Sequence, residues 1–235
     1  MERILNIIFA SPVWGMTLTL SAYMIGVTIQ KKTKIMALQP ILVASVIIVA
    51  FLTVTGRSYE EYSAQNTFLA YILSLSAVVL AIPVYRNLHI LKKYWLPILL
   101  GVTAGSAATI VTVILVGKTM GTDVELLISM IPKSCTTPIA FGVSETLGGI
   151  PAFTVAMVVL TGISGAVFGP ALLNLLKVDH YIARGLTLGT ISHAIGTTRA
   201  FTEGEVCGSM SSLAMALAGT LTAFIAPLFA AIFFA

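Results

Sequence analysis

Charge is scarce in this chain. Only 9% of its 235 residues are charged, against roughly 25% in soluble domains. With 57% hydrophobic residues, that shortage excludes a water-soluble globular protein and points to an integral membrane protein. Ten-residue stretches of strict alternation are missing too, which excludes an outer-membrane barrel. Cysteine is nearly absent. Cys135 and Cys207 both fall in apolar or polar-break segments, so the reading for them is small buried packing residues, not a disulfide. Histidine is equally rare, and no second His, Cys or carboxylate stands at ligand spacing, so no metal site is expected. No Ser-His-Asp arrangement or phosphate loop is present, and the expectation is a non-enzyme without cofactors. The formal charge of +4 is held in short clusters between apolar runs. That is how topology signals are placed, and no nucleic-acid partner is expected.

What is present is a series of apolar runs. Full spans are predicted over 4–29, 35–55, 66–85, 94–116, 151–176 and 211–234. The first lacks a cleavage-site pattern and is expected to remain as a span. The second opens on Leu38-Gln39-Pro40, which suggests a kinked entry. The basic clusters Lys31, Lys32, Lys34 and Arg86, His89, Lys92, Lys93 are then cytoplasmic. The loop with Arg57, Glu60 and Glu61 is outside, and so is the N-terminus. Tyr94 and Trp95 read as interface aromatics, and Gly162, Gly165 and Gly169 as close-packing positions. His89 and His180 read as solvated.

Two segments break the pattern. One, 123–149, carries Ile131-Pro132-Lys133-Ser134-Cys135-Thr136-Thr137-Pro138 in its middle. The other, 182–207, carries Ser192-His193-Ala194-Ile195-Gly196-Thr197-Thr198-Arg199. Charge at membrane depth costs roughly 2.5–3.5 kcal/mol on insertion scales, and proline interrupts the backbone ladder. Two such segments in an apolar chain are the best sequence pointer to a transporter-type binding site. Each could cross as a discontinuous helix or re-enter and return. The Lys177–Arg184 loop, with one net positive charge, mildly favours re-entry of the first. The division expected is 1–122, a four-span scaffold or oligomerisation part, and 123–235, a transport-like part holding both broken segments. A shift of 60 residues pairs Ile131 with Ile191, Thr137 with Thr197, Ala140 with Ala200, Phe141 with Phe201, Glu145 with Glu205 and Gly148 with Gly208. If both segments re-enter, the two units are inverted and the layout is elevator-like. The fold class is thus all-α and polytopic, with about six full spans and two broken segments.

Lys133 and Arg199 are the strong cations inside the breaks. With Ser134, Thr136, Thr137, Ser192, Gly196, Thr197 and Thr198, and with half-helix N-termini, they could hold a small anion between the two tips. The plainer reading pairs Lys133 with Glu145 and Arg199 with Glu205, or lets both snorkel. His193 could carry a coupling proton or bond a backbone carbonyl as a neutral ring. Glu145 and Glu205 are further proton candidates or surface caps, and Glu203 reads as a surface residue. A serine–lysine hydrolase built on Ser134 is a weaker alternative.

The same residues carry a resemblance. Pro132 to Ala140, then Ser144-Glu145 and Gly148-Gly149, are similar to the signature of the LrgB/CidB family. So are Thr161-Gly162-Ile163-Ser164-Gly165-Ala166 and Ser192 to Ala200. Three motifs in order make the match specific, and it covers nearly the whole chain. Cys135 stands where an aliphatic residue is expected and Thr198 where alanine is. The resemblance implies a multi-pass protein of the bacterial cytoplasmic membrane, a small LrgA/CidA-type partner and a homo-oligomer, a dimer being favoured. It implies either of two functions: holin/antiholin-like control of murein hydrolase release and lysis, or transport of small carboxylates such as pyruvate or glycolate. The plastidal glycolate/glycerate translocator resembles a fusion of the two partners. The residues at the breaks favour transport, because a lesion-forming assembly has no need of Lys133, His193 and Arg199 there.

Overall fold

The computed structural model describes residues 11–33, 38, 40–69, 71–72, 81–86 and 88–234. The N-terminus, Lys34, Gln39 and, within the span expected over 66–85, residues 70 and 73–80 lie outside them. Every regular element among the described residues is a helix. The chain forms two compact units, Met1–Ala77 and Val78–Ala235.

In the first unit, α1 (Pro12–Thr33) and α2 (Pro40–Thr55) form an antiparallel pair followed by the short α3 (Tyr59–Gln65). At Gly26 a Cβ would stand 2.5 Å from the Pro40 carbonyl oxygen, and at the other end the Trp14 and Phe51 rings meet at 5.2 Å. Ser58 caps α3 by accepting from the Glu61 N–H, and Thr19 bonds Tyr62 and Asn66.

The second unit holds α4 (Ala81–Arg86), α5 (Leu88–Thr119), α6 (Val124–Met130), α7 (Thr137–Thr146), α8 (Pro151–Leu175), α9 (Tyr181–Phe201) and α10 (Glu205–Phe234). Of these, α5, α8 and α10 are long and apolar enough to cross a membrane. The first of them kinks at Tyr94, three residues before Pro97, as a proline without an N–H and with a ring against the preceding turn dictates. α5 and α10 run parallel: Ile98 and Val102 pack with Met210 and Ala214, and Lys118 at the C-terminal end of α5 donates to the Phe233 carbonyl at the C-terminal end of α10 (2.6 Å).

Both broken segments double back. In a continuous helix Ser129 and Ser144 would be about 22 Å apart at 1.5 Å per residue. Here the Thr154 hydroxyl donates to the Ser129 carbonyl at 2.8 Å and sits 2.6 Å from the Ser144 hydroxyl. The Ser129 hydroxyl also accepts the Ile150 N–H. So α6 goes in, residues 131–136 turn, α7 comes back, and α8 starts beside them. Pro138 does not break this segment. It stands in the first turn of α7, where a proline costs no hydrogen bond.

The second segment reverses inside α9, at His193. A Cβ on Gly196 would be 2.5 Å from the Leu188 carbonyl, and Arg184 bonds Glu203 at 2.7 Å. A straight helix would put those two charges about 28 Å apart. The outgoing arm, 181–192, slots against α8, whose Gly162, Gly165 and Gly169 leave room for His193, Ser192 and Leu188. Its other side meets α10, with Gly189 against the Ser211 carbonyl. The glycines read from sequence as packing devices do pack helices here. The last span begins at Glu205, six residues earlier than expected, because Gly204 (φ 140°) ends the reversal at once and Glu205 suits a helix N-terminus.

The 60-residue register holds on the return arms only. Ala140 and Ala200 are both fully buried, and Phe141 and Phe201 are equally exposed. Glu145, however, lies in the return arm α7, while Glu205 already belongs to the next helix.

Candidate functional site

The two reversals line one cavity in the second unit. Tip 1, 131–136, presents Lys133 to a cavity of about 530 Å³ that it shares with Thr161, Ser164 and Gly165 of α8 and with Ser192 of tip 2. Among the described residues, no ion pair or hydrogen bond is made by the Lys133 ammonium. The pairing with Glu145 considered from the sequence is not formed: Glu145 is exposed at the far end of α7. Beside Lys133, Ser134 is buried with its hydroxyl unpartnered. Cys135 is buried and packs with Ala140 and with Val158 of α8. Thr136 is the N-cap residue of α7 and Thr137 its first residue.

Tip 2 is fixed by His193, only 4% exposed. Its Nε2 lies 2.9 Å from the Val158 carbonyl. A carbonyl only accepts, so Nε2 carries the proton. The bond is possible because residue 162 is glycine: a Cβ there would stand 2.6 Å from the imidazole. The backbone carbonyl weighed from the sequence as a partner of His193 is thus real, though it belongs to α8 and not to a local turn. Lys133 and Ser192, the neighbour of His193, line the same cavity, which places the two tips near each other. Thr197, buried, donates to the His193 carbonyl and bonds Ser211. Gly196 lets the return arm touch Leu188.

Thr198 and Arg199 are not brought to the cavity. Thr198 is exposed and bonds the Ala194 carbonyl of its own helix. Arg199 stands near the base of the reversal, 3.5 Å from Glu203 and bonded to Thr202, not paired with Glu205, which is exposed at the start of α10.

The base holds what the sequence did not reveal. Glu203, expected on the surface, has a side chain 12% exposed and receives both Nε (2.7 Å) and Nη2 (3.1 Å) of Arg184. Arg184, taken as a loop cation, also donates to the Asn174 side chain and the Val178 carbonyl. One signal was available: Arg184 and Glu203 stand nine residues before and ten after His193, nearly symmetric about the break. Ser129, Ser144 and Thr154, the hydroxyl lock of the first reversal, gave no such signal.

Comparisons with known proteins agree with one another. The model of the LrgB-like family matches residues 19–232. The protein YxaC of Bacillus subtilis is 37% identical over 90% of this chain and 92% of its own length. Antiholin-like protein LrgB of Bacillus mycoides is 36% identical over 93% of this chain and 96% of its own, and that of Bacillus cereus matches equally. No solved structure matches. With its apolar helices long enough to cross a membrane and a family match over most of its length, the chain is a multi-pass membrane protein that belongs to the LrgB-like family.

Proposed function

We propose that this protein binds a small monocarboxylate, pyruvate- or glycolate-like, between its two chain reversals and carries it across the bacterial inner membrane. One observation supports the reading above others: Lys133 lines a cavity at a tip with no carboxylate partner among the described residues. A cation at membrane depth is costly and functional by default. A substrate carboxylate would supply the missing charge, and the hydroxyls of Thr161 and Ser192 would donate to its oxygens. In this reading the two reversals re-enter from opposite membrane faces as inverted units, elevator fashion. His193 is the proton candidate at the tips, whereas Glu145 and Glu205 sit exposed at the bases. The N-terminus would be outside. An LrgA/CidA-type partner and assembly as a homo-oligomer, a dimer first, belong to the proposal.

The relatives' names speak more directly for a second reading, antiholin-like control of murein hydrolase release and lysis through membrane assembly. Transport rests on geometry alone. Uptake of labelled pyruvate, glycolate and lactate into proteoliposomes, with and without the partner and under a pH gradient of either sign, separates the two. The expected result is saturable uptake that falls at least about tenfold in Lys133→Gln, the scale of losing a charge-assisted hydrogen bond. Undiminished uptake in that variant sinks the anion site. Leakage of larger solutes without saturable uptake selects the antiholin-like reading.

A further inference from the structure

The interior of the second unit holds few groups that can carry a proton. Among the described residues, Lys133 is the one titratable side chain on the wall of its cavity, which it shares with Met157, Thr161 and Gly165 of α8 and with Ile191 and Ser192 of α9. Behind the tip, Ile131 clusters with Ile110 and Ile114 of α5 and with Ala226 of α10, and the Cys135 thiol with Val158 of α8. Ile110 and Ile114 stand five to nine residues before the end of α5 at Thr119, about 8–14 Å, so the tip lies well inside the span. Arg184, Arg199 and Glu203 pair with one another at the base. His193 follows Ser192 in the chain and is the first candidate for a coupling proton in the carrier reading. Its Nε2–H is already given to the Val158 carbonyl, and no carboxylate lines the cavity. A proton added to that ring would put a second positive charge close to one that is itself unbalanced.

We infer that Lys133 carries the coupling proton as well as balancing the substrate's charge. The inference rests on the carrier reading and adds its coupling step. With a carboxylate bound, ammonium and carboxylate sum to zero, and the tips can cross the apolar layer. Once the carboxylate leaves, a lone ammonium remains, and a charge at membrane depth holds back the empty return roughly a hundredfold. Two routes relieve it. A second carboxylate can bind and ride back, which is exchange and moves no proton. Or the ammonium releases its proton to water on the delivery side, and the neutral amine returns and takes up a proton on the other side. Each net cycle then moves one carboxylate with one proton and no net charge. Were His193 the proton carrier, Lys133 would stay charged throughout. Loaded and empty forms would then both cross with one positive charge, and exchange would gain nothing over net transport.

The test uses the full chain in proteoliposomes, with and without the partner. Labelled pyruvate is followed in two modes: exchange against unlabelled pyruvate inside, and net uptake into pyruvate-free vesicles under an outside-acid gradient. In the unmodified chain, exchange is expected to outrun net uptake by at least about tenfold, and net uptake to ignore an imposed membrane potential. Lys133→Arg keeps a cation that cannot lose its proton. Exchange in that variant is expected to persist, while net uptake falls at least about tenfold. Lys133→Gln is expected to lose both. Should the arginine variant fail to fold or to bind, the two rates of the unmodified chain decide alone. Net uptake as fast as exchange in the unmodified chain, or proton-driven net uptake kept in Lys133→Arg, overturns the coupling role and leaves the carboxylate site standing. No transport of pyruvate in either mode overturns it together with the carrier reading.

Discussion

His193 holds φ 41° and ψ −132°, close to the first central position of a type II′ turn, which glycine normally occupies. An L-residue there costs of order 1–3 kcal/mol and persists only where its surroundings over-determine it. Here they do: the ring is buried, bonded to Val158 and fitted against Gly162. His193→Gly removes the strain together with the ring, while His193→Ala removes the ring alone. The glycine variant is therefore expected to unfold at a higher temperature than the alanine variant in detergent, by the equivalent of about 1–3 kcal/mol. Both are expected to lose uptake. An alanine variant as stable as the glycine one would show that the backbone is relaxed. At the base, one carboxylate serves two arginines. Removing Glu203 leaves the Arg184 guanidinium, 9% exposed, without its counter-charge. Breaking a buried pair from one side costs about 3–5 kcal/mol. Glu203→Gln and Arg184→Ala are each expected to destabilise on that scale, and the double variant by clearly less than the sum. Additive losses in a thermal unfolding cycle would mean that the two side chains do not act as a pair.

Among elements, glycine explains the packing, and two glycines make a matched test. At Gly189, on the outgoing arm of α9, a Cβ would stand 2.1 Å from the Ser211 carbonyl oxygen and 2.8 Å from its carbon. Both are backbone atoms of α10 and cannot step aside without moving a helix. At Gly101, on α5, a Cβ meets nothing within 4 Å, and alanine gains up to about 1 kcal/mol of helix propensity. Gly189→Ala is expected to lower the unfolding temperature or abolish folding, and Gly101→Ala to hold or raise it. Equal melting of the two variants would contradict this packing. The sequence did reveal where the chain breaks, because Pro132 and the polar run around Lys133 are incompatible with a span. It could not show that the two halves lie side by side. That depends on contacts such as Ser129 with Thr154 and Arg184 with Glu203, which local composition does not encode. Arg199 lies away from the cavity for a related reason. It stands six residues past His193, about 9 Å down a return arm whose direction the sequence leaves open. Lys133 stands out in the sequence because a charge beside Pro132 in so apolar a stretch is costly, and the structure places it on the cavity wall.

At the scale of the molecule, the reversals decide which loops share a side. In the second unit, Ile90, Leu91, Ile182, Leu186 and Met210 pack together, and Arg184 joins Glu203 and Asn174. The start of α5, the 177–184 loop and the α9–α10 junction therefore lie at one end. Lys118 bonded to Phe233, and the turn after α7, lie at the other. In the proposed arrangement the basic residues between 86 and 93 put the first end on the cytoplasmic side. In that arrangement Glu145 would face outward and Asp179 inward, with only one long helix, α8, between them. Had the first broken segment crossed the membrane as a discontinuous helix, with α5 oriented the same way, both assignments would invert. Glu145 and Asp179 are exposed, and Cys135 and Cys207 are buried, so single cysteines at 145 and 179 can be read over a low background. In intact cells a membrane-impermeant maleimide is expected to label Glu145→Cys at once, and Asp179→Cys only after permeabilisation. The opposite pattern would mean that the first segment spans, and would remove the inverted arrangement on which the carrier reading is built.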